Sequence, residues 1–433
     1  MGQWHVKNLQ ALITVEVVIS SLTDSTLLLA HKIELRPTAT QGEYFRRCDG
    51  TMRFVFNKLV AKWKSGETYN RKEFQKFCVD LRQQTPWMRS VCSRATYEAA
   101  DNFHKAASNF FRDCKKSTGR KAKPPVFKKR SNKGGFQFSH PSQFAVNGRS
   151  FRIQGLKEQI PMRERIRFTG TVKAVSIKLY CGKWYAAFLV ETEDRPKADL
   201  TQKPTVGIDF GLSKLAVLSN GEVIENPKLL KRSLRILKRR QKQVSRRFVK
   251  SRKQQSNRYA KAVAVVARIY KKVSDQRSAA QHKFTSDAVR RFSRITIEDL
   301  NVSGMQKNRK LARAISDASW SKLRWQLEYK CRMAGVELVV ADRFFASSKT
   351  CSYCGHKAEK LSLSQRTFHC PSCSLSLDRD LNAAINLDHY ESTTPPITGS
   401  RKTDGVGLCK TTSVADLFDA VNISPTFEGS LST

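Results

Sequence analysis

Two pairs of cysteines near the carboxyl-terminal end of the sequence constrain the fold more than any other feature. Cys351 and Cys354 form one CxxC pair, and Cys370 and Cys373 form a second pair after fifteen intervening residues. Each pair can wrap a knuckle that presents two sulfurs to one tetrahedral ion, so the spacing predicts one structural Zn²⁺ bound by four thiolates. Four sulfurs leave no open position, and we expect no catalysis by this ion. A redox use of the two pairs is the alternative.

The other seven of the eleven cysteines are scattered along the chain, which is not the pattern of a disulfide framework. A reducing cytoplasm fits this usage best. Near the amino terminus the stretch "LQALITVEVVISSLTDSTLLLA" is apolar but is interrupted by Glu16 and Asp24, so we expect neither a signal peptide nor a membrane span. Residues 1–30 are an extension of uncertain role, either an extra strand or the product of an upstream start codon.

The charge balance indicates the class of partner. Lys and Arg number 79 against 37 Asp and Glu, a formal net charge of +42 at pH 7. A chain with this charge repels itself unless a polyanion neutralises it, so nucleic acid is the expected partner. A solvated basic surface, as in ribosomal or chromatin proteins, would imply nucleic acid without chemistry. An acidic membrane surface is a weaker alternative.

The amino-terminal half changes its hydrophobic period from helix to strand. A short strand at residues 32–35 precedes helical stretches that continue to about Lys116. The basic linker "GRKAKPPVFKKRSNKGG" follows, and then "SFRIQ", "RIRFTG", "VKAVSIKLY" and "KWYAAFLVETE" alternate apolar and polar residues. This alternation predicts the strands of a small β-barrel. Its outward basic residues suit a phosphate backbone, although polar outward faces are also usual in soluble strands.

The carboxyl-terminal half predicts a mixed α/β sheet. "VGIDFGLSKLAVLSNGEVIENP" reads as three strands with a hairpin turn at Asn220 and Gly221. Residues 228–277 hold about nineteen Lys or Arg and one acid, Asp275, with apolar residues at heptad spacing that predict a basic helical hairpin. "RITIEDL" reads as a central strand, followed by a helix ending at Gly335 and the strand "ELVVADRF". This is the element order of a ribonuclease H-like sheet.

Two strands of this sheet each carry a carboxylate. Asp209 in "VGIDFGL" and Glu298 in "ITIEDL" are out of phase with the buried isoleucines, so both point to the same face of the sheet. A lone buried carboxylate is costly unless a cation or a hydrogen-bond donor balances it, and neither strand carries a basic residue in phase close by, so the pair predicts a divalent metal site. In a ribonuclease H-like sheet such carboxylates hold two Mg²⁺ ions.

A third carboxylate should complete the metal site. "LDRDLNAAINL" offers Asp378, Asp380 and Asp388, and Asp380 opens a helix-like stretch, where it could also be an ordinary helix cap. Asp299 and Asp342 are further candidates. However, Asp299 should point away from Glu298 along its strand, and Asp342 lies at a strand end where solvation is cheap.

Several unlike motifs, in this order, resemble the TnpB (OrfB) family of transposon-encoded proteins, which is similar in turn to type V CRISPR effectors: "VGIDFGL", "IEDLNVSGM", "SWSKLRWQLEYKCRMAGVELVVADRFFASSKTCSYCGH" and "FHCPSCSLSLDRDLNAAINL". The resemblance covers about residues 32–387. Ser374 stands where the family usually has the Gly of its second knuckle, which could strain that turn.

The resemblance implies an RNA-guided, Mg²⁺-dependent RuvC-like DNA endonuclease of an insertion sequence. Such a nuclease cuts target double-stranded DNA beside a short flanking motif, guided by RNA derived from the transposon end, and supports transposon maintenance. By position, Asp209, Glu298 and Asp380 would be the catalytic residues that hold two Mg²⁺ ions. Cys351, Cys354, Cys370 and Cys373 would hold one Zn²⁺. The expected setting is the prokaryotic cytoplasm, at the nucleoid when DNA is bound, with no membrane partner.

The same resemblance gives a fold class and domain boundaries. We expect an α/β multidomain protein with a RuvC-like (ribonuclease H-like) domain carrying an inserted zinc ribbon, and a β-barrel wedge-like domain carrying an inserted helical domain. The predicted ranges are 1–30 extension, 31–44 and 126–196 wedge-like barrel, 45–125 helical recognition domain, 203–345 and 376–390 nuclease domain with a basic hairpin at 228–292, 346–375 zinc ribbon, and 391–433 disordered tail.

Two other functions remain open from the sequence. A guide-directed DNA-binding repressor, or a transposition accessory protein, would not cut and would be expected to lack one or more of the three acids. A transposase that joins DNA strands could use the same fold. The order Asp, Glu, Asp, with the cysteine pairs before the last acid, favours the RuvC-like interpretation.

Overall fold

A computed structural model describes the chain over residues 15–17, 26–67, 70–115, 122–129, 135–193, 200–249, 255–359, 361–362 and 365–391. Most of the predicted 1–30 extension, and the predicted tail beyond residue 391, lie outside these ranges. The described residues form two compact units, one between residues 14 and 193 and one between 194 and 391. No helix within the described ranges combines the length and hydropathy needed to cross a bilayer.

The amino-terminal unit contains antiparallel strands and three long helices. The strands are β1 Val15–Val17, β2 Thr26–Glu34, β3 Gly135–Phe138, β4 Phe144–Asn147, β5 Ser150–Ile153, β6 Ile160–Pro161, β7 Thr171–Tyr180 and β8 Lys183–Glu193. The helices are α1 Ala39–Lys64, α2 Arg71–Gln84 and α3 Arg94–Cys114. The described strands form a five-stranded sheet in the order β1-β2-β8-β7-β3 and a three-stranded sheet in the order β4-β5-β6. Closure of these strands into a barrel stays a prediction.

Strand β2 begins earlier than the sequence pattern indicated. The prediction began the strand at Lys32, whereas β2 begins at Thr26 and pairs over nine residues with β8. The apolar residues before Lys32 do not alternate with polar residues, so the sequence pattern does not indicate a strand there. Pairing with β8 is what extends β2 back to Thr26. Helix α1 begins at Ala39, where Thr38 and Gln41 form a capping box. The predicted domain boundary at 44/45 therefore falls inside α1.

The second unit contains a mixed sheet. Its strands are β9 Thr205–Phe210, β10 Lys214–Leu218, β11 Val223–Glu225, β12 Arg294–Glu298, β13 Glu337–Ala341, β14 Thr367–His369 and β15 Ser376–Asp378. Its helices are α4 Leu229–Arg246, α5 Asn257–Arg291, α6 Val302–Met305, α7 Ala312–Ala318, α8 Trp320–Ala334 and α9 Arg379–Asp388. The main sheet has the order β11-β10-β9-β12-β13. Strands β9 to β11 pair antiparallel, and β12 runs parallel to both β9 and β13.

Opposite faces of this sheet carry different helices. Val206, Ile208 and Ile297 are fully buried on one face, in a core shared with α5 and α8. Helix α9 packs on β9 at Gly207, which alternates with Val206 and Ile208 and so lies on the other face. The face that carries α9 is also the face to which Asp209 points.

Helices α4 and α5 form the predicted basic hairpin region. The two helices pack against each other, and Leu237 of α4 and Val273 of α5 are buried. Gln241, which interrupts the heptad, donates a hydrogen bond from Nε2 to the Tyr270 hydroxyl at 3.1 Å. The polar side chain of Gln241 in α4 is therefore hydrogen-bonded to the facing helix α5.

Candidate metal centres

The register of two parallel strands brings Asp209 and Glu298 together. Ile208 of β9 is paired with Ile297 of β12, so the residues that follow, Asp209 and Glu298, lie side by side. Both isoleucines are fully buried on the core face. Because side chains alternate along a strand, both carboxylates point to the opposite face. Each of them is only partly exposed to solvent.

Asp380 reaches the same place from the first turn of α9. This helix lies against the backbone of β9, because a Cβ built on Gly207 would be 2.0 Å from the Ala384 carbonyl oxygen and 2.4 Å from the Asp388 amide nitrogen. Only a glycine permits so close an approach. The negative charge of Asp380 acts on Asp209. The three acids predicted from the sequence are thus neighbours in space.

The electrostatics of Asp209 indicate an unneutralised anionic site. Burial, followed by the negative charges of Glu298 and Asp380, raises the pKa of Asp209 to about 8, and the nearby Arg379 only partly opposes this. Among the described residues, none donates a hydrogen bond to the Asp209 carboxylate. A site of oxygen donors with this excess of negative charge fits a hard divalent cation such as Mg²⁺.

Asp378, and not Asp380, caps helix α9. Its side chain accepts hydrogen bonds from the amides of Asp380 at 3.0 Å and Leu381 at 3.1 Å, and it pairs with Lys214 at 3.2 Å. The alternative reading of Asp380 as an ordinary cap is therefore wrong. With the cap supplied two residues earlier, the Asp380 carboxylate is available for the site on β9.

The remaining candidate acids make other contacts. Asp299 forms ion pairs with Arg324 and Arg343. Although burial acts in the opposite direction, the two guanidiniums hold the pKa of Asp299 below its usual value. Asp342 accepts a hydrogen bond from the Phe344 amide at 2.8 Å, and Asp388 accepts one from the Ser219 hydroxyl at 2.9 Å. These contacts give the three acids structural roles.

The four cysteines form a second, distinct centre. Their Sγ atoms all lie within 4.8 Å of one another, and in the described part of the chain no other set of three or more metal-ligating side chains is as tight. Cys351 and Cys373 are 3.6 Å apart, and Cys354 and Cys370 are 3.5 Å apart. Four sulfurs at about 2.3 Å from a tetrahedral Zn²⁺ would be separated by about 3.8 Å. The arrangement fits zinc. Asp209, Glu298 and Asp380 do not form so tight a set among the described residues.

Ser374 carries backbone strain at the second knuckle. Its φ is +60°, in the left-handed region, whereas Gly355 occupies the corresponding position of the first knuckle with φ +75°. Both residues donate their amide to the carbonyl of the first cysteine of the pair at 3.0 Å. The serine therefore adopts a conformation that favours glycine.

Ser374→Gly is expected to stabilise the second knuckle by about 1 kcal/mol, which raises zinc affinity about fivefold. The measurement is zinc release to a competing chelator. Ser372→Gly is the matched control, because Ser372 is exposed and has no positive φ. That substitution should destabilise the knuckle slightly, since glycine raises the conformational entropy of the unfolded chain. Equal zinc affinities for Ser374→Gly and the parent would contradict the strain argument.

The sequence interpretation missed four residues around the two centres. It assigned no role to Gly207, to Ser347, or to Asn382 and Asn386 in "NAAIN". Asn382 has no solvent exposure, and Asn386 and Ser347 are 7% and 3% exposed. The available signal was the spacing of two asparagines by four residues on a helix, which places two polar amides on one buried face.

Comparison with known proteins gives three matched families. Residues 26–72 match "Helix-turn-helix domain", residues 187–309 match "Probable transposase" (OrfB_IS605), and residues 320–387 match "Cas12f1-like, TNB domain". A Streptomyces pristinaespiralis protein named "Putative RNA-guided DNA endonuclease" is 32% identical over 83% of this chain and 88% of its own length. In Escherichia coli K12, "Putative RNA-guided DNA endonuclease InsQ" is 30% identical over 83% of this chain and 91% of its own length.

Among solved structures, a chain from the "Cryo-EM structure of the Cas12f1-sgRNA-target DNA complex" covers 84% of this chain and 99% of its own length, at 16% identity. Its TM-score is 0.29, and so low a score is no basis for transferring geometry.

Proposed function

Since the chain belongs to the TnpB (OrfB) family of transposon-encoded proteins, we propose that it is an RNA-guided DNA endonuclease that cuts target double-stranded DNA beside a short flanking motif. The observation that carries this proposal is the meeting of Asp209, Glu298 and Asp380 on one face of a mixed sheet. The raised pKa of Asp209 supports it, because a cation is what relieves such a site.

The proposed catalytic domain is RuvC-like, within the ribonuclease H-like fold. Its support is the sheet order β11-β10-β9-β12-β13, with three antiparallel strands followed by two parallel additions, and an acid on each of β9 and β12. Two Mg²⁺ ions, when bound, would activate a water and stabilise the leaving oxygen of a phosphodiester. The zinc ribbon between β13 and α9 would hold one Zn²⁺ through Cys351, Cys354, Cys370 and Cys373.

Each carboxylate has a distinct part in this proposal. Asp209 would bind the cations through a carboxylate whose charge burial and the two neighbouring acids leave uncompensated. Glu298 is held from one side by the Ser347 hydroxyl, which leaves its other oxygen for a metal. Asp380 would close the site from α9. Its position after the Asp378 cap orients the carboxylate without using it in the helix.

The proposed partners are a guide RNA derived from the transposon end and the target DNA. The net charge of +42 supports two polyanionic partners, and in such systems base pairing reads the target while the protein holds the heteroduplex by its backbone. The proposed domains are the wedge-like barrel at 31–44 and 126–196, the helical recognition domain at 45–125, the nuclease domain at 203–345 and 376–390, and the zinc ribbon at 346–375. Because α1 crosses the 44/45 boundary, we place that boundary at the start of α1, before Ala39. The proposed setting is the bacterial cytoplasm.

The test is to purify the protein with RNA co-expressed from its own locus, and to sequence the RNA that remains bound. A plasmid library carrying the matching target and randomised flanks is then incubated with the complex and Mg²⁺. We expect cuts beside one short flanking motif, and none with Asp209→Ala. Equal cutting by Asp209→Ala and the parent would remove the proposed site. Bound RNA and bound target without any cutting would instead support a repressor.

A further inference from the structure

We propose that Asn382, Asn386 and Ser347 are positioning residues. Through them, the folded four-cysteine centre keeps the carboxylates of Asp209, Glu298 and Asp380 close to one another. The inference rests on the proposed function, because it concerns how the site of that nuclease is positioned. It makes the nuclease conditional on zinc: loss of the ion would loosen α9, although the zinc centre contains no catalytic group.

Asn382 connects α9 to the first cysteine knuckle. Its Oδ1 accepts a hydrogen bond from the Ser352 amide at 3.0 Å, and its Nδ2 donates to the Thr350 carbonyl at 2.7 Å. Ser352 lies inside the knuckle, directly after Cys351. Asn382 therefore uses both its oxygen and its nitrogen to bind two backbone groups at the start of the first knuckle.

Asn386 lies one helical turn further along α9 and binds the segment leading into the knuckle. Its Nδ2 donates to the Ser347 carbonyl at 2.8 Å and to the Thr350 carbonyl at 2.6 Å. The Thr350 carbonyl thus accepts from both asparagines. The two side chains together bind the backbone of residues 347–352 to one face of the helix.

Ser347 extends these contacts to the sheet. Its hydroxyl donates a hydrogen bond to Glu298 Oε1, and its carbonyl is the one that Asn386 binds. A continuous set of hydrogen bonds therefore runs from Glu298 on β12, through Ser347, Asn386, Thr350 and Asn382, to Ser352 in the knuckle. Its ends are one proposed ligand of Mg²⁺ and the neighbour of one proposed ligand of Zn²⁺.

Because these side chains are buried, breaking any one of their hydrogen bonds costs free energy. Asn382 has no solvent exposure, and Asn386 and Ser347 have little, so water does not replace a broken bond at these positions. In opposition stands the repulsion between Asp209 and its two neighbouring carboxylates. Without zinc the two cysteine pairs are no longer held in one place. Residues 350–352 then gain freedom, and the repulsion can move α9 and Asp380 away from the sheet.

The competing explanation is that packing alone holds α9. Ala383, Ala384 and Leu387 are buried against the unit, and Ala384 lies directly over Gly207. If packing suffices, zinc removal should leave α9 unchanged and the asparagines should affect only overall stability. The two explanations differ in one measurable quantity, which is the dependence of α9 on zinc.

Hydrogen exchange of the full-length protein measures this dependence without any reference to cleavage. In the parent, we expect a chelator selective for zinc over magnesium to speed exchange of the α9 amides about tenfold or more. In Asn382→Ala/Asn386→Ala, these amides should exchange fast both with zinc and without it. Gln326→Leu is the matched control, because Gln326 is a fully buried amide bonded to Thr285 and not to the knuckle. It should keep the zinc response of the parent.

The Mg²⁺ dependence of cleavage provides the second measurement. Zinc removal and the double substitution should each raise the Mg²⁺ concentration for half-maximal cleavage about tenfold, and together they should raise it no further, because both break one pathway. Ser347→Ala should raise the Mg²⁺ requirement while α9 keeps its zinc-dependent protection. This variant separates the link to Glu298 from the link to the helix and does not disturb the helix core.

The outcomes are distinguishable. Protection of α9 that is independent of zinc in the parent, or that responds to zinc in the double variant as in the parent, overturns the inference. Additive effects of zinc removal and substitution on the Mg²⁺ requirement also overturn it. A protein that never cuts DNA but shows the expected exchange pattern would retain the positioning role and refute the proposed nuclease.

Discussion

Asp209→Asn is expected to abolish DNA cleavage and to stabilise the protein in the absence of magnesium. The amide keeps the shape of the side chain but removes the charge that would hold the cations. Losing a carboxylate that would hold the metal should lower the cleavage rate by about a thousandfold or more, which corresponds to about 4 kcal/mol of transition-state stabilisation. Binding of the guide RNA and the target should remain, because neither depends on the Asp209 charge.

The gain in stability follows from the direction in which the pKa moves on folding. Burial and the charges of Glu298 and Asp380 raise the pKa of Asp209 from 3.8 to about 8 in the folded protein. The folded state therefore holds this proton more tightly than the unfolded state, and its stability falls as the pH rises from about 4 to about 8. A tenfold change in proton affinity corresponds to about 1.4 kcal/mol. For a side chain that water partly reaches, we expect about 2 to 4 kcal/mol in total.

Thermal unfolding in a magnesium chelator measures this effect between about pH 5 and about pH 8. The advantage of Asp209→Asn over the parent should grow with pH, and added Mg²⁺ should raise the midpoint of the parent but not of the variant. Asp342→Asn is the matched control, because Asp342 is an exposed acid just after the neighbouring strand β13. It should show no pH-dependent gain. A variant that is less stable than the parent at every pH would contradict the account of a strained anionic site.

Gly207→Ala is expected to lower cleavage about a hundredfold. The added Cβ would lie 2.0 Å from the Ala384 carbonyl oxygen and 2.4 Å from the Asp388 amide nitrogen. Both are backbone atoms of α9, so no flexible side chain can move aside, and the helix must shift by more than about 1 Å to reach ordinary contact distance. A misplacement of this size typically costs about two orders of magnitude in rate. We also expect a loss of about 1 to 3 kcal/mol of stability from the overpacked contact.

The measurement is the rate of target cleavage at saturating Mg²⁺ and its dependence on Mg²⁺ concentration. The control is Gly50→Ala in α1, where the nearest atom to a new Cβ is the end of the Arg53 side chain at 3.9 Å. That substitution should leave cleavage unchanged and stabilise the helix by up to about 1 kcal/mol. Cleavage by Gly207→Ala at the parent rate would show that the approach of α9 to β9 does not position Asp380.

Local features of the site were predictable from the sequence because they depend on near neighbours in the chain. The face to which Asp209 and Glu298 point follows from strand alternation, and their surroundings in β9 and β12 agree with it. The cysteine spacing predicted a four-sulfur centre, and the four Sγ atoms do cluster. The resemblance to the TnpB (OrfB) family marked Ser374 as a serine at a position usually held by glycine, and its φ of +60° lies in the left-handed region that favours glycine.

Other features required the packing of distant segments. The sequence offered Asp378, Asp380 and Asp388 as candidates and left open that Asp380 is an ordinary cap, and the structure shows that Asp378 supplies the cap. The start of β2 depended on its partner β8. The spacing of Asn382 and Asn386 places two amides on one face of α9, but their partners, like the close approach of α9 to Gly207, depend on segments far away in the chain.

The sequence by itself determined that one candidate centre consists of carboxylates and the other of thiolates. It also determined the hydrophobic periodicity that predicts strands and helices, and the net positive charge that requires a polyanionic partner. These follow from side-chain chemistry and from contacts within one turn of helix or two residues of strand. Tertiary structure alone decided that α9 lies against the backbone of β9, that Asp378 rather than Asp380 caps it, and that Asn382 and Asn386 bind the first cysteine knuckle. Each of these depends on burial against residues far away in the chain, where a close fit between backbones and the satisfaction of buried polar groups select one arrangement.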